Sequence, residues 1–384
     1  MSDMSPPPLC IIGAGLGGLT LARSLLKRGV PAVIYDRSAS APRHGYGITL
    51  HASTYKPLAK VLDLDATTLR QKTAVDAAIG GSGIIDPKHL GQAHKDSFRA
   101  NRQKLELLLR QGLDIRWEHQ LDHISPSPGS LTLHFSNTTT LTVPHVIASD
   151  GPHSRARLSL LPSITPTVHP TVALNGKRRI PLPLYTALYA PLLTNKNILS
   201  LRTGPNNALL TIQVNDHDPD KETVSISWIY SRPAQGLRAD PLHRPHRPSS
   251  GAEDIPGDFY EEIRDLGPLE GPFGDVFDAE KLGEERVLSW LMRTVEVPLR
   301  EELKGAGERG VWFVGDAVHA EPILGGEGAN AAIVDGVELG EWIAEYGVGE
   351  IGKWCEGRWE DWRRGVERSK RVLAEMHSVG KASL

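Results

Sequence analysis

Leu9 to Ile12 is a short apolar, partly β-branched run that reads as a buried strand. The next apolar positions, Leu19, Ala22, Leu25 and Leu26, fall on one helical face. Lys27-Arg28-Gly29 closes that helix with basic residues at the negative end of the dipole and a C-cap glycine. Pro31 to Tyr35 is a second strand, so the opening of the chain is predicted to be strand, helix, strand. Farther on, Arg102 to Gln111 reads as a helix. Leu131, Leu133 and Phe135 alternate, as do Leu141 and Val143, with Ser136-Asn137 between them; this predicts a hairpin or meander before a strand at Val146 to Ser149. From about Thr165 to Glu285 the pattern becomes strand-like, with pieces at Ile198 to Leu201, Ala208 to Val214 and Thr223 to Tyr230, which suits an antiparallel sheet. Val311 to Val314 is another short strand. A helical pattern then runs from Asn330 to Ala344 and on to about His377, with Trp354, Trp359 and Trp362 at near-helical spacing as packing residues. Ser231 to Gly257, rich in Pro, Arg and His, is expected to be an exposed loop, and His243 and His246 within it to be solvated rather than metal-bound. No metal site is expected.

Glycine punctuates this pattern where chemistry would need it. Between the first strand and the first helix stands Gly13-Ala14-Gly15-Leu16-Gly17-Gly18. With 38 glycines in 384 residues, a G-x-G-x-x-G pattern arises by chance about 0.4 times, so only its setting makes it informative. Here the setting is the required one. Gly13 permits the tight turn, Gly15 lets backbone amides approach a pyrophosphate, and Gly18 lets helix and strand pack closely. The second strand ends at Asp36, 23 residues after Gly13, where a carboxylate can accept both hydroxyls of an adenosine ribose. This segment suits NAD or FAD equally.

A second cluster, about 300 residues later, separates the two. The strand at Val311 to Val314 stops at Gly315-Asp316, and Pro322 precedes Gly325-Gly326-Glu327-Gly328-Ala329-Asn330. An acidic side chain at that strand end can bind ribityl hydroxyls, and a glycine-rich helix start aims amides and a positive dipole at the C2 carbonyl and N1 of a flavin, which is anionic when reduced. A nicotinamide cofactor has no ribityl chain. The pair of motifs therefore points to FAD gripped at both ends.

In this order the motifs resemble the class A flavoprotein monooxygenases, the para-hydroxybenzoate hydroxylase-like family that includes the tetracycline-inactivating monooxygenases. The Gly13, Gly15, Gly18 turn with Asp36 matches, with Asp where Glu is more frequent. Ser149-Asp150-Gly151-Pro152-His153-Ser154-Arg155-Ala156-Arg157 looks like the family's Asp-Gly segment shared between FAD and NAD(P)H, and Gly315-Asp316 with Pro322, Gly326, Gly328, Asn330 and Asp335 looks like its third motif. Asn101-Arg102 stands where the family begins a helix with an FAD-contacting arginine. The resemblance implies an α/β fold: a Rossmann-like FAD-binding domain of glutathione-reductase type, interleaved with an antiparallel substrate domain and ending in a C-terminal helix. On that reading residues 1–164 are the first part of the FAD domain, with 53–97 bordering the substrate cavity, residues 165–285 the substrate sheet, and residues 286–384 the second part with the C-terminal helices. The expectation is the compact two-domain form.

The same resemblance assigns the expected site. Gly13, Gly15, Gly18, Asp36, Arg37, Arg102, Asp150, Gly315, Asp316, Gly326, Gly328, Ala329 and Asn330 are expected to bind FAD. Arg43 is expected over the flavin edge, its alternative being a solvated loop arginine. Pro322, Gly325 and Gly326 are expected to line the flavin face where oxygen reacts. Glu327 stands where a neutral residue is usual, and because a carboxylate there would oppose an anionic flavin, it is expected to point outward. The implied activity is consumption of NADPH or NADH, held only transiently, and oxygen transfer through a flavin C4a-hydroperoxide to an electron-rich aromatic or alkene carbon, with water kept away. His51, His319 and Tyr230 are the candidates for a general base.

Composition fits this picture. Net charge is −3 with 23% charged residues, and Lys and Arg are dispersed, which argues against nucleic acid as a partner. The two cysteines, Cys10 and Cys355, lie at opposite ends of the chain and predict neither a disulfide nor a zinc site. No stretch approaches the roughly 18 apolar residues of a membrane span, and Met1 to Pro8 lacks a signal-peptide pattern. The expectation is a cytoplasmic enzyme, monomeric or weakly dimeric, with a small-molecule substrate and O2. Three classes compete with this reading: a reductase or oxidase of the same fold without oxygen insertion, a flavin halogenase, whose Trp-x-Trp-x-Ile-Pro signature is missing at Trp290-Leu291-Met292-Arg293, and a binding module that has lost the cofactor residues, which are present here.

Overall fold

The protein is described as a computed structural model covering residues 7–41, 45–86, 96–193, 196–236, 240–325 and 327–377. The first sheet is parallel, in the order Val311–Phe313, Val146–Ala148, Leu9–Ile12, Ala32–Tyr35, Asp114–Arg116. Its central strand pairs on both sides, Cys10 standing opposite Val33 and Val146, and all four of its residues are buried. A strand covered on both faces has no polar positions to spare, which is why it reads as an unbroken apolar run. Burial also pushes the Cys10 thiol up to about 12, so it is packing material rather than a nucleophile.

The helix Leu16–Lys27 follows the first strand, and the helix Gly328–Tyr346 crosses it. Small residues set how closely they meet. A Cβ on Gly336 would stand 2.7 Å from the Gly17 carbonyl oxygen, and one on Gly340 2.4 Å from the Ser24 Cβ. The Ser24 hydroxyl donates to the Val337 carbonyl at 3.2 Å. Helix starts some 300 residues apart in the chain are thereby locked side by side.

The second sheet is antiparallel, in the order Ile198–Thr203, Ala208–Asp218, Thr223–Pro233, Thr167–Pro181, Val287–Thr294. Alternation divides its faces. Leu174, Leu210, Ile212, Val214, Ile226 and Trp228 enter an apolar cluster with Tyr189, Phe259 and Phe273, whereas Gln213 and Ser227, paired across two strands, lie on the opposite, half-buried face. A bulge at Asn215 interrupts the register between Val214 and Asp216 and re-aims this buried side chain. Its Oδ1 accepts from the Gly47 amide at 3.0 Å, its Nδ2 donates to Ser227 Oγ at 2.8 Å, and its carbonyl accepts from Asn101 Nδ2 at 2.9 Å. Asn215 thus ties the sheet to an antiparallel strand pair, Gly47–Leu50 with Phe98–Asn101, that the sequence pattern did not predict.

The expected meander is present as Leu121–Ser127, Ser130–Phe135 and Thr140–Val143. The helical C-terminal stretch forms Gly328–Tyr346 and Ile351–Met376, with Trp354 and Trp362 buried against each other, ring centroids 5.6 Å apart. The stretch from Ser231 to Gly257 is not simply an exposed loop. Arg232 is 1% exposed and is paired with both Asp240, at 2.6 Å, and Glu262; Leu242 is buried as well. Its charges neutralise one another inside the domain, a pairing that composition conceals. Among the described residues no helix is long and apolar enough to cross a membrane.

Candidate cofactor site

A cavity of about 860 Å³ runs along the C-terminal edge of the parallel sheet. Gly13, Gly15 and Asp36 line one end, with Asp150 and Gly151 beside Gly13, and Asp316, Gly328 and Ala329 line the other. Both helix starts open into it, and neither carries a side-chain cap: not Gly15 before Leu16–Lys27, nor Glu327 before Gly328–Tyr346. Uncapped first-turn amides are unsatisfied donors at the positive end of a dipole, and two such ends in one cavity suit a ligand with acceptors at both extremities.

Glycine is required at the first end. Gly13 has φ +103°, and a Cβ on Gly18 would lie 2.0 Å from the Gly13 carbonyl oxygen. Gly15 differs, because a Cβ there meets nothing within 4 Å: it would project into open cavity. Asp36 is 7% exposed. Its Oδ2 accepts from the Ala14 amide at 2.7 Å and its Oδ1 from the Ser38 amide at 2.8 Å, which fixes the carboxylate in the cavity wall. Arg37 lines the same end from an exposed position. Beside Gly13, Asp150 Oδ2 accepts from the amides of Arg155, at 2.8 Å, and Ala156, at 3.3 Å, whereas Oδ1 is buried without a hydrogen-bond partner among the described residues. Burial raises the Asp150 carboxyl above its ordinary value. An orphaned acceptor in a cavity wall is the mark of a site built for a donor-bearing ligand.

At the far end Asp316 faces the cavity, its carboxyl raised by burial and partly held down by His319 and Arg102. Arg102 lines the wall; it donates from Nε to Glu106 at 2.8 Å and from Nη1 to the Tyr46 hydroxyl, so although burial opposes it the guanidinium stays firmly charged. Gly315 has φ +58° and donates its amide to Asp335 at 2.9 Å. The Asn330 side chain is 4% exposed and engaged elsewhere: its Oδ1 accepts from the His51 amide and its Nδ2 donates to the Thr49 carbonyl, each at 3.0 Å. Pro322 and Gly325 form a short turn beside the C-terminal helix, where a Gly325 Cβ would lie 3.5 Å from Ser369. Arg43 and Gly326 lie outside the described residues.

Glu327 does not point outward. Its side chain is 17% exposed, and its two oxygens lie 2.9 and 3.1 Å from His51 Nε2, with Arg368 at 3.7 Å. The His51 ring and the Arg368 guanidinium beside it answer the charge problem that the sequence poses at this position. His51 Nδ1 in turn is 2.7 Å from Ser97 Oγ. Of the three base candidates, only His51 touches the glycine-rich loop. His319 Nε2 binds Asp335 at 2.6 Å under the Gly315 turn, and Tyr230 is tied to Glu262 on the far side of the antiparallel sheet. The hub role of Asp335 was not foreseen: besides Gly315 and His319 it accepts from Trp362 Nε1 at 2.9 Å and Arg358 at 3.3 Å.

Residues 7–169 and 305–368 match the family described as FAD binding domain. The chain is 34% identical to the FAD-dependent monooxygenase adaC of Aspergillus niger, with 97% of this chain and 94% of that protein covered. It is likewise 34% identical to the FAD-dependent monooxygenase nscC of Neosartorya fischeri, covering 97% and 96%. Among solved structures it is similar to tetracycline destructase Tet(55) (TM-score 0.66, 17% identity, 98% and 100% covered). It is also similar to Klebsiella pneumoniae HpxO complexed with FAD and uric acid (TM-score 0.67, 15% identity, 97% and 89% covered). The chain belongs to this family of FAD-binding proteins and is an FAD-dependent monooxygenase. It acts on a small molecule with O2 as co-substrate.

Proposed function

We propose that NADPH or NADH, bound transiently, supplies the electrons and that one oxygen atom of O2 is delivered to an electron-rich aromatic or alkene carbon. The observation that carries this reading is the cavity onto which two uncapped helix starts converge, one following the Gly13 turn and one following Glu327. When bound, FAD supplies the capacity to store two electrons and activate oxygen. The protein's share is to bind, orient and exclude water.

On this reading Gly13, Gly15 and Gly18 admit the pyrophosphate to the first helix start, and Asp36 and Arg37 hold the adenosine end. Asp150 takes a donor beside the Gly13 turn. Arg102, Gly315 and Asp316 hold the ribityl portion, and Gly328 and Ala329 present amides to the pyrimidine edge of the ring. Asn330 supports that helix start from behind through Thr49 and His51. Pro322 and Gly325 are assigned to the reacting face; Gly326 and Arg43, outside the described residues, keep the roles expected from the family resemblance. His51, held between Ser97 and Glu327, is the group best placed to hold or pass a proton there. Residues 1–164 and 286–384 then serve the cofactor, apart from Val287–Thr294, which completes the antiparallel sheet, and 165–285 the substrate, in a monomeric or weakly dimeric cytoplasmic enzyme.

Removing the carboxylate in Asp316→Ala is expected to weaken FAD binding by about 10- to 100-fold, corresponding to about 1.4 to 2.7 kcal/mol, read by fluorescence titration of the apoprotein with FAD. The activity is tested by screening electron-rich phenols and alkenes for acceleration of NADPH oxidation under labelled dioxygen. One labelled oxygen atom in the organic product is the expected result. Substrate-accelerated NADPH oxidation that yields only hydrogen peroxide for every compound would favour an oxidase instead.

A further inference from the structure

Outside the cofactor cavity, Arg99 is a buried cation with a nitrogen left unsatisfied. Arg99 is 7% exposed and has no carboxylate within ion-pair distance among the described residues; the nearby ionisable group that favours its charge is Tyr46. Its hydrogen-bond partners are neutral: Nη1 donates to Thr49 Oγ1 at 3.1 Å and Nη2 to Gln213 Oε1. Its Nε is buried with no partner. Burial pushes its pKa down to about 10, so the guanidinium remains charged at neutral pH. By contrast Arg232, equally deep in the protein, is matched by two carboxylates. A buried cation without a counter-charge costs several kcal/mol, and sites that keep one tend to be functional.

The surroundings say where the counter-charge would come from. Thr49 stands opposite Arg99, and Gly47 opposite Asn101, across the antiparallel strand pair, so all four share one face. A Cβ on Gly47 would lie 2.7 Å from Arg99 Nε, so the glycine leaves room for the guanidinium. Across from it is Gln213, on the polar face of the antiparallel sheet and paired with Ser227. Ser97, two residues before Arg99 and hence about 7 Å away on the same side of an extended chain, begins the Ser97–His51–Glu327 chain of contacts that ends at the glycine-rich loop. The cation therefore touches the polar face of the sheet through Gln213 and stands on the strand whose start leads, through Ser97 and His51, to Glu327.

We infer that Arg99, oriented by Thr49 and Gln213, is a specificity-determining residue that binds an oxyanion of the substrate, either a carboxylate or an ionised phenol. This rests on the reading that the polar face of the antiparallel sheet takes the substrate. An ionised phenol would also make the ring more electron-rich, which suits electrophilic oxygen transfer. A guanidinium recognises either oxyanion by the same charge-assisted hydrogen bonds.

The test compares charged probes with neutral isosteres on the FAD-loaded enzyme by calorimetry: naphthoate against naphthamide, and nitronaphtholate against nitronaphthalene. The wild type is expected to prefer at least one of the anions over its isostere by about tenfold or more, about 1.4 kcal/mol; which pair shows the preference distinguishes carboxylate from phenolate. Arg99→Gln should bring the ratio to about one with FAD content unchanged. Gln213→Glu keeps the cation but gives it an internal carboxylate, so it should fold at least as well and also abolish the preference, while Arg99→Lys should restore part of it. A wild type that binds neither anion in preference to its isostere would overturn the inference. So would a preference that survives in Arg99→Gln or, where that variant does not fold, in Gln213→Glu, and so would loss of FAD in both variants, which would make Arg99 a scaffold residue. FAD content and labelled-oxygen incorporation are measured separately. An enzyme that oxygenates without an Arg99-dependent preference refutes this inference alone, and one with the preference but no oxygen transfer refutes the monooxygenation chemistry alone.

Discussion

Gly15→Val is expected to yield a folded protein that does not retain FAD. The added side chain meets no protein atom within 4 Å at its Cβ, and Gly15 has φ −77°, which any residue adopts, so folding has little reason to suffer. The same side chain projects into the cavity at the uncapped start of the helix Leu16–Lys27, where the amides must approach a pyrophosphate. Affinity for FAD should fall at least about 100-fold, a loss of about 2.7 kcal/mol, while the far-ultraviolet circular dichroism and the melting temperature stay near those of the wild-type apoprotein. Gly18→Val makes the control. Its Cβ would lie 2.0 Å from the Gly13 carbonyl oxygen and 2.4 Å from Ser149 Oγ, so that variant should lose stability as well as flavin. Full flavin retention by Gly15→Val would place the pyrophosphate elsewhere.

Asp335→Ala is expected to cost about 3 to 5 kcal/mol of unfolding free energy, the usual result of stripping one partner from a buried ion pair. Its carboxylate gathers the Gly315 amide, His319, Trp362 and Arg358, so removal orphans a buried histidine ring and loosens the turn that presents Asp316. The signs of the two pKa shifts give this effect a pH window. Burial alone would lower His319, but Asp335 outweighs it and holds the imidazole above its ordinary 6.5; that contribution is complete below pH 6.5 and lost as pH rises through the raised value. Burial alone would raise Asp335, but His319 and Arg358 hold it below 3.8; its contribution is present above that pH and lost as pH falls through the lowered value. The advantage of wild type over Asp335→Ala in urea unfolding should therefore be largest between about pH 4 and 6.5 and shrink on either side. A difference that does not change with pH would mean that the pair is not ionised in the folded protein.

What the sequence disclosed follows from what kind of constraint each feature imposes. Four of the five parallel strands were legible because burial forces apolar runs, whereas the edge strand Asp114–Arg116, with both its end residues exposed, carries no such run and was missed; the Gly13 and Gly315-Asp316 turns were legible because backbone geometry there admits few residues. The antiparallel pieces Ile198–Thr203, Ala208–Asp218 and Thr223–Pro233 announced themselves by alternation, although each extends farther than its apolar core suggests. The strand pair Gly47–Leu50 and Phe98–Asn101 was not legible. Its four-residue strands, Gly-Ile-Thr-Leu and Phe-Arg-Ala-Asn, carry no sustained period, and a partner some fifty residues away gives no local signal. Pairings such as His51 with Glu327, Arg232 with Asp240, and Asp335 with its four donors arise only when distant segments meet. That is why Glu327 read as a misplaced charge and Arg232 as part of a solvated loop. The two glycine-rich helix starts could be matched to one cofactor from the sequence alone, but their juxtaposition through Gly336 and Gly340 is a fact of packing.

The most direct measurement is the flavin content of the purified wild-type protein, incubated with excess FAD, freed of unbound cofactor, and read by visible absorbance before and after denaturation. The expected result is a yellow protein that releases about one FAD per chain, with little release from Gly15→Val treated in the same way. A wild-type protein that stays colourless would contradict the central claim that one FAD lies between the turn at Gly13 and the helix start at Gly328.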